Sequence, residues 1–231
     1  MSNLSHAIRE QHRVLAERDA LFRRHGGDME ASVQFVLRCA APVTGQVLEI
    51  GTGRGHFLVA LTRSACRVVT VDPDAEALHG ARLYATEAEA ADKVEFIHGD
   101  AAQLAQPDGA FDAVVSMNAL HHIERLEPVL AESLRLLRPG GKLVLADFNA
   151  EGFEIVARMH QAEGKVHPAV RHDFARLQVF LEQRGCRTRL EEGCHEKVLL
   201  GLTAAVVNGQ CDHAEPPTHV GSTTPNLTDA G

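Results

Sequence analysis

A short apolar strand that runs directly into a glycine-rich loop is the feature that most constrains the fold of this 231-residue chain. Residues 47–50 read Val-Leu-Glu-Ile, and Gly51, Gly53 and Gly55 follow at every second position. Because glycine lacks a Cβ and tolerates positive φ, three glycines allow a tight turn whose backbone a ligand can approach closely. A strand, such a loop and a helix start are typical of nucleotide-binding α/β proteins, in which the ligand lies at the carboxyl ends of the strands.

The spacing of the glycines distinguishes between nucleotide ligands. A dinucleotide fingerprint requires G-x-G-x-x-G, and here the position of the third glycine is occupied by His56. This spacing disfavours an NAD-dependent oxidoreductase, which stays as an alternative. A plain strand-to-helix turn with no ligand is the other alternative that the loop alone leaves open.

Two carboxylates follow the second predicted strand. The β-branched run 67–72 ends at Asp72, about twenty residues past the loop, where an acid can accept hydrogen bonds from ribose hydroxyls. Either Asp72 or Asp74 could instead cap the helix predicted over 75–86. Since two acids are available, we assign the ribose to Asp72 and the cap to Asp74.

Four segments in order over residues 47–148 resemble one known family. They are E-x-G-x-G-x-G from Glu49, the strand 94–99 that ends at Asp100-Ala101, an F-D-x-V strand from Phe111, and L-x-P-G-G-x-L from Leu137. Together they resemble class I, Rossmann-like methyltransferases that depend on S-adenosylmethionine. The chain looks most like the small-molecule type 11 group, which includes quinone-ring C-methyltransferases.

The resemblance implies S-adenosylmethionine as the cofactor and assigns residues to its three parts. Glu49, Gly51, Thr52, Gly53 and Gly55 would hold the methionine portion, Asp72 with Pro73 the ribose, and Asp100 with Ala101 the adenine, while Asn118 would line the site of methyl transfer and contact the cofactor.

Alternating strand and helix patterns over residues 46–148 predict a doubly wound, mostly parallel sheet that is covered on both faces. Segments 187–190 and 198–207 are separated by too few residues for a crossover helix, so they should pair as an antiparallel hairpin. The resemblance implies a seven-stranded sheet in which the last strand lies antiparallel beside strand five.

The rest of the chain divides into three predicted segments. Residues 1–42 form an N-terminal helical cap, because residues 3–40 place apolar side chains at helical spacing within a charged stretch. Residues 43–207 form the cofactor-binding domain, in which 150–172 is a candidate lid over the cleft. Packing against the sheet is the alternative role for both added segments. Residues 208–231 have the composition of a disordered tail.

Methyl transfer from a sulfonium needs a general base only if the nucleophile must lose a proton. His121 and His122 follow the strand 111–117, with Asn118 beside them, and we take these three as the catalytic candidates. Adjacent histidines cannot both face the cleft, and we favour His121 because it is nearer the strand end. The alternative is that a histidine caps or packs at the following helix.

Composition favours a small-molecule acceptor. The chain has a formal charge of −8 and is 4% aromatic with no tryptophan, which disfavours nucleic-acid binding and base stacking. Asn118 is also not followed by the Pro-Pro-aromatic segment that is usual in enzymes that methylate exocyclic amines. A protein or RNA acceptor and a non-catalytic S-adenosylmethionine-binding protein remain alternatives. The oligomeric state stays open.

Two further expectations concern location and metals. No run of about 18 apolar residues and no signal peptide is present, so we expect a cytoplasmic protein without a membrane partner. The five scattered cysteines are interpreted as reduced thiols. The potential metal ligands considered are His160, His167, His172, Cys194 and His195. Because their spacings match no known metal-binding motif, no metal site is predicted.

Overall fold

The structure is a computed structural model that describes residues 3–65, 67–165, 169–207 and 210–211. Its centre is a sheet of seven strands. These strands are β1 Gln46–Ile50, β2 Arg67–Asp72, β3 Val94–His98, β4 Phe111–Met117, β5 Leu137–Phe148, β6 Arg187–Gly193 and β7 Glu196–Leu202.

The helices of the described ranges alternate with these strands or precede them. They are α1 Asn3–Arg24, α2 Met29–Ala40, α3 His56–Leu61, α4 Ala75–Glu87, α5 Leu126–Leu136, α6 Ala150–Ala162 and α7 Phe174–Glu182, with short 3₁₀ turns at Ala91–Lys93 and Leu120–His122.

The strand order is β3-β2-β1-β4-β5-β7-β6. Strands β1 to β5 pair in parallel, whereas β7 lies antiparallel between β5 and β6. The predicted fold class is therefore confirmed, including the antiparallel hairpin. The order reverses between β1 and β4, and a doubly wound sheet opens its ligand cleft at such a switch point.

Successive side chains of a strand point to opposite faces of the sheet, so each strand contributes side chains to the apolar cores on both faces. In β1, Val47 joins the apolar cluster with α2 and α3, whereas Leu48 joins the cluster with α5 and α7. Both residues are fully buried. Because both faces of the parallel strands are covered, their sequences are near-continuous runs of apolar residues.

The N-terminal segment contains two helices, α1 and α2. α1 packs against α4 and α6, and its Phe22 joins Ile155, Val156 and Met159 of α6 in a separate apolar cluster. This cluster lies outside the two cores of the sheet. It fixes α1 and α6 to each other above the carboxyl ends of the strands.

The C-terminal strands differ from the prediction in their bounds. A two-residue turn joins β6 to β7, and both Cys194 and His195 adopt positive φ, as a tight hairpin of the I′ type requires. The second strand ends at Leu202, and β8 Val206–Val207 pairs instead with β9 Gln210–Cys211 in a separate ribbon. Apart from β9, the predicted disordered tail lies outside the described residues.

None of the helices that the structure describes is both long and apolar enough to cross a membrane. Cys39, Cys186 and Cys194 are free thiols. The side chains of Cys66 and Cys211 lie outside the described part of the chain.

Candidate functional site

Two adjoining cavities lie at the carboxyl ends of β1, β2 and β4. The first, of about 320 Å³, is covered by residues of α1 and α6, and we call it the roofed chamber. The second, of about 620 Å³, is bordered by the ends of β1, β2 and β3 and by α5, and we call it the strand-end chamber. They meet at shared lining residues, which are Gly51, Gly53, Asp72, Ala119 and His122.

The glycine loop joins β1 to α3, and its backbone conformation favours glycine. Gly51 has a φ of +82°, and a Cβ there would lie 2.2 Å from the Cβ of Ala119. Gly53 has a φ of +49°, and a Cβ there would meet nothing within 4 Å. Gly51 therefore serves close packing, whereas Gly53 leaves open space beside the backbone.

Asp72 links the glycine loop to the end of β2. Its Oδ2 accepts a hydrogen bond from the Gly53 backbone N at 2.9 Å, and its Oδ1 accepts one from the Asp74 N at 2.9 Å. Asp74 caps α4, because its side chain accepts hydrogen bonds from the backbone N of Glu76 and Ala77. The prediction that Asp74 caps α4 is thus confirmed. Asp72 lies where the two chambers meet.

Glu49 does not line either chamber. Its carboxyl is 1% exposed and accepts a hydrogen bond from Thr70 Oγ1 at 2.5 Å. Thr52 Oγ1 lies 2.5 Å from the same Thr70 oxygen, so Thr52 donates to Thr70 and a chain of hydroxyls connects Glu49 to the glycine loop. Burial raises the pKa of Glu49 to about 8, against the opposing effect of the Thr70 hydrogen bond.

Pro73, Asp100 and Ala101 line the strand-end chamber together with Asp72. Asp100 is exposed, and its Oδ1 accepts a hydrogen bond from the Ala102 backbone N at 2.8 Å. This local turn fixes the loop after β3. The structure therefore brings these predicted residues to the chamber bordered by Asp72.

His121 forms a buried pair with Asp147, an acid that the sequence analysis did not select. His121 Nδ1 lies 2.6 Å from Asp147 Oδ1, and the two side chains are 2% and 4% exposed. Asp147 Oδ2 also accepts a hydrogen bond from the His121 backbone N at 2.9 Å. Since a carboxylate only accepts, Nδ1 carries the proton, and Nε2 is the nitrogen with a basic lone pair.

Phe148 and Phe153 hold the His121 ring from two sides. Each phenyl ring lies with its centroid 5.6 Å from that of His121. His121 lines the roofed chamber. Backbone, carboxylate and aromatic contacts thus orient one imidazole toward the cavity.

His122 borders both chambers. It is exposed, and its ring centroid lies 4.2 Å from that of His121. Partial burial, and next the proximity of His121, lower the pKa of His122. The two histidines differ in their environment, but both line the roofed chamber, so the expectation that only one of them faces the cleft is wrong.

Asn118 lies at the end of β4 in the left-handed region, with a φ of +54°. Its Nδ2 donates a hydrogen bond at 3.0 Å to Oε1 of Glu196, the first residue of β7. Glu196 is fully buried, and this burial raises its pKa to about 8. The tight hairpin turn places Glu196, because Ser32 of α2 donates to the Cys194 carbonyl at 2.8 Å and the Asn149 N donates to that of His195 at 3.0 Å.

The roof of the roofed chamber comes from α1 and α6. Arg18, Asp19 and Phe22 contribute from α1, and Val156, Met159 and His160 from α6. Asp19 Oδ2 lies 3.2 Å from Nε2 of His56, the first residue of α3. This contact ties the roof to the helix after the glycine loop.

The histidines and the cysteine considered as metal ligands do not converge in the described ranges. His172 Nε2 lies 3.0 Å from the Leu120 carbonyl oxygen, and His195 Nδ1 lies 3.3 Å from Glu151 Oε2. Among the described residues, no group of three or more His, Cys, Asp or Glu is placed to hold a metal ion. His167 lies outside these residues.

Sequence reasoning missed Asp147, Glu196 and the arginines that line the roofed chamber, Arg18 and Arg54. One of these carries a usable signal in the sequence. Asp147 follows Leu143-Val144-Leu145-Ala146 near the end of an apolar strand, where an acid is expected to face a functional cleft. Arg54 is placed at the cleft by the glycine loop but is not singled out there by its residue type, and Glu196 and Arg18 lie on segments that the sequence does not connect to the cleft.

Comparison with known proteins adds three findings. A family model described as a methyltransferase domain matches residues 48–145. A demethylmenaquinone methyltransferase from Clavibacter sepedonicus is 36% identical over 123 residues, which are 52% of this chain and 49% of the relative. A ubiquinone biosynthesis O-methyltransferase from Thiobacillus denitrificans is 30% identical over 166 residues, which are 71% of this chain and 70% of the relative.

Solved structures share the fold at lower identity. A putative S-adenosyl-L-methionine-dependent methyltransferase from Methanococcus maripaludis matches with a TM-score of 0.64 and 16% identity, covering 87% of this chain and 94% of that one. By contrast, the chain spans only about half the length of several curated relatives that it matches.

Proposed function

Because the chain belongs to the class I S-adenosylmethionine-dependent methyltransferases, we propose that it methylates a small-molecule acceptor whose nucleophile must lose a proton. The observation that carries this proposal is the buried pair of His121 and Asp147 in the wall of the roofed chamber. A base of this kind is needed for a hydroxyl or similar acidic nucleophile, whereas a neutral amine can attack without one.

The residues at the cleft fit the cofactor of the family. Gly53 leaves open space beside its backbone, and Asp72 stands where the two chambers meet. Each carboxylate oxygen has two acceptor sites, so Asp72 can hold the Gly53 and Asp74 amides and still accept from two ribose hydroxyls. We therefore assign Asp72 with Pro73 to the ribose, and Asp100 with Ala101 to the adenine.

The glycine loop would hold the methionine portion through Gly51, Thr52, Gly53 and Gly55. Glu49 acts from behind this loop, because its carboxyl is buried and reaches the loop only through Thr70 and Thr52. We assign it a supporting role in place of the direct contact that the resemblance implies. Asn118, held by Glu196, lines the roofed chamber next to the loop.

S-adenosylmethionine supplies, when bound, a methyl group on a positively charged sulfur that departs as a neutral thioether. His121 accepts the proton of the acceptor at Nε2, and Asp147 stabilises the resulting imidazolium through Nδ1. Because His121 is 2% exposed, the proton transfer is sheltered from bulk water. The roof from α1 and α6 covers part of the same chamber.

Size and charge favour a small acceptor. The roofed chamber has a volume of about 320 Å³, which suits a small ligand but not a folded macromolecule. Its apolar lining includes Phe22, Met117, Phe148 and Met159. The formal charge of −8 disfavours a nucleic-acid acceptor. The names of the two relatives, which refer to demethylmenaquinone and to ubiquinone biosynthesis, support the same choice.

The test uses the full chain and S-adenosylmethionine labelled with three deuterium atoms on the methyl group. The protein is first titrated with S-adenosylhomocysteine, and is then incubated with labelled cofactor and a fractionated small-molecule extract. We expect binding and at least one product that gains the labelled methyl by mass spectrometry, with no such product from His121→Ala. Binding without any labelled product would favour a non-catalytic cofactor-binding protein. No binding would contradict the proposal.

A further inference from the structure

The strand β6 forms one edge of the sheet and is accessible along its whole length. It ends the strand order, so no strand of the described residues pairs with its outer side. All seven residues of Arg187–Gly193 are exposed or half-buried. Such an edge presents unpaired backbone N–H and C=O groups, to which a strand of another chain can add.

The register with β7 determines which backbone groups of β6 are free. The two-residue turn makes Gly193 and Glu196 the hydrogen-bonded pair that closes the hairpin. Bonded and non-bonded pairs then alternate along the antiparallel ladder, so the odd-numbered residues of β6 bond to β7. The even-numbered residues Thr188, Leu190 and Glu192 therefore direct their N–H and C=O groups to the free edge.

The order of side chains along β6 is complementary to itself. It reads Arg-Thr-Arg-Leu-Glu-Glu-Gly, so basic residues precede Leu190 and acidic residues follow it. A second copy that pairs antiparallel about a two-fold axis at Leu190 places its Glu191 opposite Arg189. The same register places Thr188 opposite Glu192, and Leu190 opposite its own counterpart. All three even-numbered residues then form hydrogen-bonded pairs, as their free backbone groups require.

The two charged residues nearest this axis are accessible to a second copy. Arg189 and Glu191 are 59% and 42% exposed, and Arg189 Nε lies 3.3 Å from Glu191 Oε1 within the strand. Arg189 Nη2 also donates to the Cys39 carbonyl of α2 at 3.0 Å, which places both side chains on the α2 side of the sheet. In the paired arrangement each charge meets an opposite charge along its own strand and another across the axis.

The opposite face of β6 presents an apolar side chain at the same axis. Leu190 is 40% exposed, and α7, which packs on β6, carries Val179 with 51% exposure. Thr188 fixes α7 to this face, because its Oγ1 donates to Glu182 and accepts from Gln178 Nε2 at 3.0 Å. Pairing about Leu190 removes apolar surface of this side chain from water.

The other edge strand, β3, lacks this complementarity. It reads Val-Glu-Phe-Ile-His, so two copies paired about Phe96 would place Glu95 opposite Ile97. Glu95 already lies 2.9 Å from Arg67 of β2, and the guanidinium of Arg82 lies over the Phe96 ring. An antiparallel copy of β3 would thus face an acid with an apolar side chain, whereas β6 offers matched charges.

We propose that β6 is the interface of a homodimer, in which two copies join their sheets edge to edge about a two-fold axis at Leu190. The same surface serves both copies, as in other isologous interfaces. Because the interface is small, we expect a dissociation constant on the order of micromolar. The inference is independent of the proposed methyl transfer, since none of the residues of β6 lines either chamber.

Sedimentation equilibrium of the full chain, from about 1 µM to about 500 µM, measures the dissociation constant. The wild-type chain should become dimeric over this range. Arg189→Glu and Glu191→Arg each bring like charges opposite one another, and each should raise the dissociation constant about tenfold or more. The double variant Arg189→Glu/Glu191→Arg restores opposite pairs across the axis and should dimerise as the wild-type chain does.

The sharpest test mixes the two single variants in equal amounts. One copy then carries acids and the other carries arginines at positions 189 and 191, so both facing pairs are opposite in charge. The mixture should form a heterodimer although each variant alone associates weakly. The contact within one strand stays broken in both variants, so only contacts between copies explain this recovery. A mixture that associates no better than its components contradicts the inference.

Arg67→Glu is the matched control, because it makes the same change in net charge near the other edge, at a side chain that is 60% exposed. It should leave the dissociation constant unchanged, and thermal melting checks that every variant is folded. In the unchanged chain, raising NaCl from about 0.05 M to about 0.5 M should weaken the dimer by screening the exposed pairs. A dimer that is insensitive to this salt argues against the charge pairs.

A wild-type chain that stays monomeric at the highest concentration overturns the inference. A dimer that both single variants leave intact also overturns it, because the interface then lies elsewhere. Either result leaves the proposed methyl transfer unaffected, since that function is tested by cofactor binding and by the labelled product.

Discussion

The two chambers of the cleft are built in different ways. The strand-end chamber takes its polar residues from strand ends and loops that follow directly along the chain, including Asp72 after β2 and Asp100 after β3. The roofed chamber instead depends on distant partners. Asn118 and Glu196 are 78 residues apart, and His121 and Asp147 are 26 apart.

Under the proposed function, this difference divides recognition of the ribose and adenine from acceptor chemistry. Parallel strands deliver successive loops to the same edge of the sheet, so the strand-end chamber follows once the strands are in order. The roofed chamber requires α1 and α6 to pack on each other and the β6–β7 hairpin to dock against α2. We therefore expect variants in the two chambers to affect different measurable quantities.

The largest effect is expected for the histidine and acid pair of the roofed chamber. His121→Ala and Asp147→Asn should each lower kcat about 10²-fold to 10⁴-fold, because one removes the base and the other its orienting carboxylate. Affinity for S-adenosylhomocysteine should change little. Steady-state kinetics with the labelled cofactor and calorimetry measure both quantities.

His122→Ala is the matched control for this prediction. It removes the neighbouring imidazole, which is exposed whereas that of His121 is buried, and should change kcat by well under tenfold. Equal losses in His121→Ala and His122→Ala would contradict the distinct role of His121. A melting temperature that drops sharply in Asp147→Asn would instead reveal a structural role for that acid.

Gly51→Ala should cause the next largest effect, on stability. Its Cβ would lie 2.2 Å from that of Ala119 at a φ of +82°, so steric overlap and backbone strain together should cost about 3 kcal/mol. Urea unfolding measures the free energy. Gly53→Ala meets nothing within 4 Å and should cost only about 1 kcal/mol, while weakening cofactor binding. Similar unfolding free energies would contradict the packing role of Gly51.

Asp72→Ala should reduce affinity for S-adenosylhomocysteine about tenfold to a hundredfold, since it removes the ribose acceptor and the contact with the Gly53 amide. Binding of 5′-methylthioadenosine should fall by the same factor, because that ligand retains the ribose. Asp74→Ala provides the comparison in calorimetry. It removes the α4 cap and should lower stability by about 1 kcal/mol without changing affinity. An equal loss of affinity for S-adenosylhomocysteine in Asp72→Ala and Asp74→Ala would contradict the assignment of the ribose to Asp72.

The smallest effect concerns pH, and it compares two buried acids behind the cleft, Glu49 behind the glycine loop and Glu196 behind Asn118. Burial raises the pKa of Glu49 and of Glu196 to about 8. The folded chain then holds protons that the unfolded chain has lost above its ordinary value near 4.5, so stability falls as pH rises toward 8.

Glutamine mimics the protonated acid without titrating. Glu49→Gln and Glu196→Gln should therefore gain stability relative to the wild-type chain as pH rises from 6 to 8, by at most about 1.4 kcal/mol per pH unit. Urea unfolding at three pH values measures the difference. A gain that does not change with pH would show that these acids are already ionised in the folded chain.

The sequence predicts the residues of the glycine loop and of the strand-end chamber nearly in full. The glycine spacing, Asp72, and Asp100 with Ala101 are read from strand ends, and all of them line the cleft. The seven-stranded sheet with its antiparallel hairpin is predicted as well. The direct cofactor contact expected of Glu49 differs from its placement, because a buried strand residue can support a loop without reaching the ligand.

By itself, then, the sequence determined the sheet and the chamber at its strand ends, since both follow from local periodicity and from backbone geometry at glycines. Only the tertiary structure decided which partners His121 and Asn118 would have. Those contacts depend on how α1, α6 and the β6–β7 hairpin pack, and side chains far apart in sequence meet only after that packing is complete.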